Sequence, residues 1–230
     1  MKWLGRLFVF FSIAFVLSAC NTPSKLSWRE AMKIKIADYS RYAEQQMRPY
    51  FRRAGVKYPP KRLAFLVFKN TEQFEIYASD GHDWRYIRTF SVLAHSGGPG
   101  PKLLSGDDQV PEGIYRIIGM NPESHFDLSL HLSYPNAFDR QMARRDNRTD
   151  LGGKIYIHGS DRSIGCVAIG NTAIQQVFPL VYYVGIHHVQ VIIAPDDLRI
   201  YKPIYGRAYP KWLPLKYARI GSALQQFPVP

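Results

Sequence analysis

Apolar and polar positions follow two different periods along this chain, and the period changes near residue 60. Across "SWREAMKIKIADYSRYAEQQM", residues 27–47, Trp28, Met32, Ile36, Tyr39, Ala43 and Met47 recur three to four residues apart. That spacing places them on one face of an amphipathic helix. Ser27, with Glu30 three residues on, makes a capping box at the start. Pro49 disfavours helical geometry at Arg48, so the helix is expected to stop there. Such a helix packs on the domain, spaces it from a membrane, or binds the membrane directly.

From Leu63 the pattern turns β-rich: "LAFLVFK", "QFEIYAS" and "WRYIRTFSVLA" are separated by the turn-formers Asn70-Thr71 and Asp80-Gly81. These read as consecutive strands of one antiparallel sheet. A Gly/Pro-rich loop, "SGGPGPKLLSGDDQVPEG", leads to a further strand, "IYRIIGM"; loops this long are functional or disordered. Next come "FDLSLHLSYPN", a polar arginine-rich stretch, "AFDRQMARRDNRTDLGG", and the strand "KIYIHG". "NTAIQQVFPLVYYVG" has helical spacing with Asn171 as N-cap and Pro179 expected to end or kink it, and "HVQVIIAP" closes as a strand. The tail from Asp196 to Pro230 shows little periodicity and is expected to be an extended arm over the domain. The expected class is mainly β, a β-rich α+β domain with an N-terminal helix and an extended C-terminal arm.

The first 19 residues place Lys2 and Arg6 before the apolar run Leu7 to Ala19 and end in small residues, the layout of an export signal. The run is shorter than the roughly 20 residues of a membrane-spanning helix. Leu17-Ser18-Ala19-Cys20 resembles a bacterial lipobox, which implies cleavage before Cys20 and its acylation, hence a lipid anchor in a membrane. Cys166 is then the one free thiol, and a disulfide framework is excluded. By the same resemblance, Asn21 favours the outer membrane of a two-membrane bacterium, with the domain in the periplasm. The expected organisation is a signal at 1–19, tether and helix at 20–62, catalytic domain at 63–194 and arm at 195–230.

Charge narrows the partners. The 230 residues carry 30 Lys and Arg against 18 Asp and Glu, and removing Lys2 and Arg6 still leaves about +10. Such a chain seeks anionic surfaces. Nucleic acid is not expected where the signal sends the protein, whereas a carboxylate-rich wall polymer shares that compartment. Solubility alone is the other use of the charge.

The stretch "IYIHGSDRSIGCVAIGN", 155–171, carries the candidate chemistry. A cysteine nucleophile needs a thiolate, a base to take its proton, and donors aimed at the oxyanion. His158 at a strand end, Cys166 eight residues on, and the permissive backbones of Gly159 and Gly165 supply these; a buried structural cysteine beside an ordinary loop histidine is the alternative.

"IHG" followed by "SIGCVAI" resembles the signature of the L,D-transpeptidase (YkuD-type) catalytic domain, and "VPEGIY", Val110 to Tyr115, resembles its Thr-Pro-x-Gly segment. "YPNAFD", "IHG" and "SIGC" in that order look like the YafK-like subgroup. The resemblance implies a YkuD-like β-sandwich or barrel at 63–194, with Cys166 as nucleophile, His158 as base, and Ser163, Gly165 and Gly159 shaping the loop and oxyanion site. It further implies attack on the meso-diaminopimelate carbonyl of a wall peptide, a thioester acyl-enzyme, no cofactor, and peptidoglycan as partner. The subgroup is associated with hydrolysing the link between peptidoglycan and the murein lipoprotein. Ile164 stands where most members have histidine and Ala168 where they have arginine, so water and an amine both stay open as acceptor.

His131 is expected to line the pocket, to replace the histidine absent at Ile164, to orient His158, or to be structural. Arg140, Arg144, Arg145 and Arg148 either grip substrate carboxylates bidentately or form a solvated face. His187 and His188 are expected to be structural. Two other classes stand beside the enzyme: a non-catalytic peptidoglycan-binding lipoprotein, and a metal site from His131, His158 and Cys166, which lacks ligand-like spacing. "HSGGPGPK" is not a phosphate loop, because Gly-Lys-Ser/Thr and a following helix are missing.

Overall fold

A computed structural model describes residues 26–81, 83–98, 100–203, 205 and 209–230, so the expected signal at 1–19 and Cys20 lie outside the described residues. Helix α1, Trp28–Ala54, begins on the expected capping box, with Ser27 and Glu30 bonded reciprocally. It does not stop at Arg48. It runs through Pro49 to Gly55, whose left-handed backbone (φ 69°) closes the last turn. Proline inside a helix costs about 3 kcal/mol. Here Pro49 and Gln45 are exposed, so water serves the carbonyl left without its partner, while Phe51 is fully buried one position beyond Tyr50. Burial of a side chain of this size contributes about 1.5–3 kcal/mol, and Phe51 together with the equally buried Met47 offsets the break.

Eight strands follow: β1 Arg62–Phe68, β2 Gln73–Ser79, β3 Arg85–Ser91, β4 Gly113–Ser124, β5 Asp127–Leu132, β6 Tyr156–His158, β7 Val167–Ala168 and β8 Val189–Ala194. Their order across the sheet is β3-β2-β1-β8-β4-β5-β6-β7. β1, β2 and β3 pair antiparallel as the sequence suggests, and β8 inserts between β1 and β4, parallel to β1. β6 and β7 are the other parallel pair. Just past β3, the Leu93 N–H donates to the Ala168 carbonyl (2.8 Å) and the Ala168 N–H to the Ala94 carbonyl (3.0 Å). The two ends of the sheet therefore meet, and the sheet curls toward a barrel; the β-rich α+β class expected from the sequence is the one observed.

Alternation along the central strands feeds two cores. Leu63, Phe65 and Val67 join Val191 and Ile193 in the larger core, which α1 and α3 (Asn171–Val184) cover with Met32, Ile36, Met47, Phe51, Val177 and Phe178. Helix α1 thus packs on the domain. Ala64, Leu66 and Phe68 face the second core with Ile192 and residues of α4, Leu213–Leu224.

Three local expectations change. The arm after residue 195 lies over the domain, but it contains α4, whose Leu213, Tyr217, Ile220 and Leu224 seal the second core. The arginine-rich stretch holds a helix, α2, Ala137–Arg145, with a capping box between Asn136 and Asp139. Asn171 is not an N-cap: the cap position is Gly170, without a side-chain bond, and α3 continues through the buried Pro179. Among the described residues no helix is long and apolar enough to cross a membrane.

Candidate active site

Strands β6 and β7 set the site. His158 pairs with Ala168, and Ile157 with Val167. Ile157 and Val167 point into the larger core, so Tyr156, His158 and Ala168 fall on the opposite face by the two-residue period. Cys166 immediately precedes β7, and its Sγ meets the Tyr156 N–H of β6, two residues before His158. Leu128, Leu130 and Leu132 of β5 also face that core, leaving Ser129 and His131, the register partners of His158 and Tyr156, on the site face.

His158 is 1% exposed and stacks on Phe126, ring centres 4.5 Å apart. Its Nδ1 lies 2.5 Å from the Gly159 carbonyl. A carbonyl oxygen only accepts, so the proton resides on Nδ1 and Nε2 is left as a free base. Burial holds the imidazole pKa below its ordinary value, with the Gly159 carbonyl acting the other way. Glycine is required at 159: a Cβ there would lie 2.6 Å from both the Phe126 carbonyl and the Asn171 Oδ1. Asn171 instead accepts from the Ser160 N–H (2.6 Å), tying the turn after His158 to the start of α3.

Cys166 is partly exposed and unbridged. Its Sγ accepts from the Tyr156 N–H at 3.4 Å. Burial pushes the thiol pKa up, and the Tyr156 amide and the Lys102 charge pull against it. At neutral pH the resting pair is thereby thiol plus neutral imidazole, and attack needs a base at the moment of bond formation. No hydrogen bond joins His158 to Cys166 among the described residues; such bonds are commonly long before substrate arrives.

The loop before the thiol is held by hydroxyls. Ser163 Oγ accepts from the Cys166 N–H (2.9 Å) and donates to the Cys166 carbonyl (2.7 Å). Gly165, at φ 85°, directs its N–H to Ser96 Oγ at 2.5 Å. The amides of Gly165 and Cys166, candidates for an oxyanion site, thus each rest on a serine hydroxyl. Ser96, Phe126 and Tyr156 were not singled out in the sequence; the Gly/Pro-rich loop that carries Ser96 was the available signal.

That loop is anchored from below. Glu112, fully buried, receives Lys69 Nζ (3.1 Å), the Gly100 N–H (3.0 Å) and Tyr217 OH (2.8 Å). Lys69 also donates to the carbonyls of Gly100 (2.9 Å) and Val110 (3.2 Å). Lys216 of α4 reaches the Glu112 carbonyl (2.6 Å) and Asp139 (2.8 Å). The "VPEG" segment is where these bonds converge.

The other expected residues separate. His131 stacks on Tyr156, ring centres 4.6 Å apart, and burial lowers its pKa. It does not orient His158, a task the Gly159 carbonyl performs. Arg140 is bonded to the Pro135 carbonyl, Arg148 to Asp146 and the Leu103 carbonyl, and Arg144 and Arg145 are exposed in the last turn of α2. None of them is bonded to His158 or Cys166 among the described residues. Ile164 is 77% exposed on the loop, while Ala168 is fully buried beneath the Ala94 bridge. Among the described residues no group of three or more His, Cys, Asp or Glu is placed to hold a metal ion. A cleft of about 400 Å³, lined by Phe126, Asp127, Ser160 and Asn171 among others, opens beside the His158 turn.

A family model described as the L,D-transpeptidase catalytic domain, YkuD, matches residues 62–212. "Putative L,D-transpeptidase YafK" of Escherichia coli K12 is 30% identical over 158 residues, which are 65% of this chain and 62% of that protein. The chain thus spans about six tenths of the length of the curated relatives it matches. Among solved structures, the helical cell shape determining protein Pgp2 from Campylobacter jejuni aligns with a TM-score of 0.46 at 23% identity, covering 59% of this chain and 48% of that one. Bd1075 from Bdellovibrio bacteriovorus gives 0.43 at 22% identity, with 74% and 56% covered.

Proposed function

Since the chain belongs to the L,D-transpeptidase catalytic-domain family, we propose that it is a peptidoglycan-modifying enzyme using Cys166 as nucleophile and His158 as general base. The observation that carries this reading is the 2.5 Å contact between His158 Nδ1 and the Gly159 carbonyl, which assigns the proton to Nδ1 and leaves Nε2 as a free base, two residues along β6 from the amide that meets Cys166 Sγ.

In the proposed reaction Nε2 takes the Sγ proton as sulfur bonds to an amide carbonyl of a wall peptide, that of a diaminopimelate residue. Negative charge collects on the carbonyl oxygen, and the Gly165 and Cys166 amides turn from their serine hydroxyls to meet it. The C–N bond breaks, the amine leaves with the proton from His158, and a thioester remains on Cys166. Water or a second amine, deprotonated by the same imidazole, releases the acyl group.

Hydrolysis of the link to a wall-bound lipoprotein is the outcome favoured at Ile164 and Ala168. Ile164 brings no hydrogen-bonding group to the thiol loop, and the closed bridge at Ala168 leaves no long cationic side chain there. The "LSAC" segment supports a further part of the proposal, a lipid anchor on Cys20 that holds the domain at the periplasmic face of the outer membrane. Mass spectrometry of sacculi incubated with the purified protein tests the reaction. Released lipoprotein without diaminopimelate identifies hydrolysis and new peptide dimers identify transfer; sacculi bound but chemically unchanged would make the chain a peptidoglycan-binding protein only.

A further inference from the structure

A second, roomier cleft lies away from the thiol. It has a volume of about 820 Å³ and opens between the start of β1, strands β4 and β8, and helices α2 and α4. Arg62, Arg116, His187, His188, Lys216 and Arg219 all line it, and no Asp or Glu does. None of its lining residues is a hydrogen-bond partner of His158 or Cys166.

Of the Lys and Arg side chains in this cleft, Lys216 alone has a carboxylate partner among the described residues. Lys216 is neutralised by Asp139 at 2.8 Å. Arg62, Arg116 and Arg219 have no carboxylate partner among the described residues. Two of the three guanidinium groups are held instead by ring faces: Arg62 lies 4.8 Å from the Trp84 ring centre and Arg219 5.1 Å from that of Phe138. Stacking on an aromatic face fixes the plane of a guanidinium while leaving its edge donors unspent. Three permanent positive charges with free donors, flanked by two imidazoles, then line one concave wall.

We propose that this cleft is a binding site for a multiply charged phosphate group, a phosphate ester or a diphosphate. Three unpaired guanidinium groups call for a ligand that concentrates two or three negative charges on one compact group. Phosphate does so and takes Arg bidentately, whereas a carboxylate carries one charge. The volume is that of a small-molecule site. The same group occurs on soluble phosphate monoesters and diphosphates and on phosphomonoester lipid headgroups. His187 and His188, expected from the sequence to be structural, are part of its wall.

The test titrates the full chain with sodium pyrophosphate by calorimetry and, in parallel, sediments it with vesicles of phosphatidylcholine alone or containing phosphatidic acid, whose headgroup is a phosphomonoester. Saturable pyrophosphate binding, weakened about tenfold or more in Arg62→Gln/Arg219→Gln and unchanged in Arg52→Gln/Arg53→Gln on α1, supports the site and a soluble source. Binding to phosphatidic acid vesicles alone, with the same dependence, supports it with a headgroup as the source. Saturation with neither probe, full binding by the Arg62→Gln/Arg219→Gln chain, or citrate binding as tightly as pyrophosphate would overturn the assignment.

Discussion

Two polar regions of this molecule lie at opposite ends of one loop and are built in opposite ways. At Glu112 every strong donor and acceptor is spent: Lys69, Tyr217, Lys216 and Asp139 close a buried set of ion pairs and hydrogen bonds. At Cys166 the bonds are few and weak. The thiol has one amide donor at 3.4 Å, and His158 has one partner for two ring nitrogens. Saturation fixes a protonation state, because each proton already has a partner. Under-bonding leaves a proton free to move, so the first region is suited to hold geometry and the second to do chemistry. Loop 96–112 joins them, pinned by Glu112 at one end and offering Ser96 to the Gly165 amide at the other.

The sharpest way to break this contrast is at the base. His158→Gln keeps a polar side chain of similar reach but removes the acceptor for the Sγ proton, and is expected to lower kcat by about 100- to 10,000-fold. Its thermal midpoint should stay close to that of the parent. A large loss of stability with activity per folded molecule retained would assign His158 to structure instead.

Lys69→Met attacks the other region. It leaves Glu112 buried without its cation, which typically costs about 3–5 kcal/mol. Urea denaturation should show that loss, and the surviving folded fraction should still label at Cys166. Equal stability to the parent would mean that the Lys69–Glu112 pair does not anchor the loop.

Ser96→Ala tests the joint between the two. It removes one hydroxyl contact with Gly165 and is expected to reduce kcat/KM by about ten- to hundredfold through misplacement of the thiol loop, with little change in melting temperature. Unchanged kinetics would show that the loop keeps its geometry without the serine.

The smallest effect is on pH. His158 must be neutral to take a proton, and burial lowers its pKa from the ordinary 6.5. The acid limb of kcat/KM should therefore fall below pH 6.5 rather than at it. Because the unfolded chain binds this proton at higher pH than the folded one, the same group makes stability decline as pH drops through that window. An acid limb above pH 6.5 would contradict the buried neutral imidazole.

Much of this was legible in the chain. β-rich runs bounded by turn pairs locate β1, β2 and β3, and Ser27 with Glu30 locates the start of α1. "IHG" and "SIGC" lead to His158 on β6 and to Cys166 just before β7, whose Sγ meets the Tyr156 amide two residues before His158. The errors came where tertiary burial overrode a local rule. Pro49 and Pro179 were read as breakers, yet Phe51 and Phe178 are buried in the same helices and outweigh them. Helix α4 carries little signal by itself, and its worth lies in Tyr217 and Lys216 meeting Glu112, about 105 residues earlier in the chain. The capping box of α2 sat in "NAFD". Its arginines drew attention as ligands, while the cleft that gathers Arg62, Arg116 and Arg219 is assembled from β1, β4 and α4 and shows in no single stretch.

The central claim is that Cys166 carries the acyl group. Intact-protein mass spectrometry after rapid quenching with a diaminopimelate-containing wall peptide tests it directly. The account predicts an added acyl mass that maps to Cys166 and is reversed by hydroxylamine. The adduct should be absent from a folded Cys166→Ala chain, which releases no amine. Undiminished amide cleavage by Cys166→Ala would contradict it.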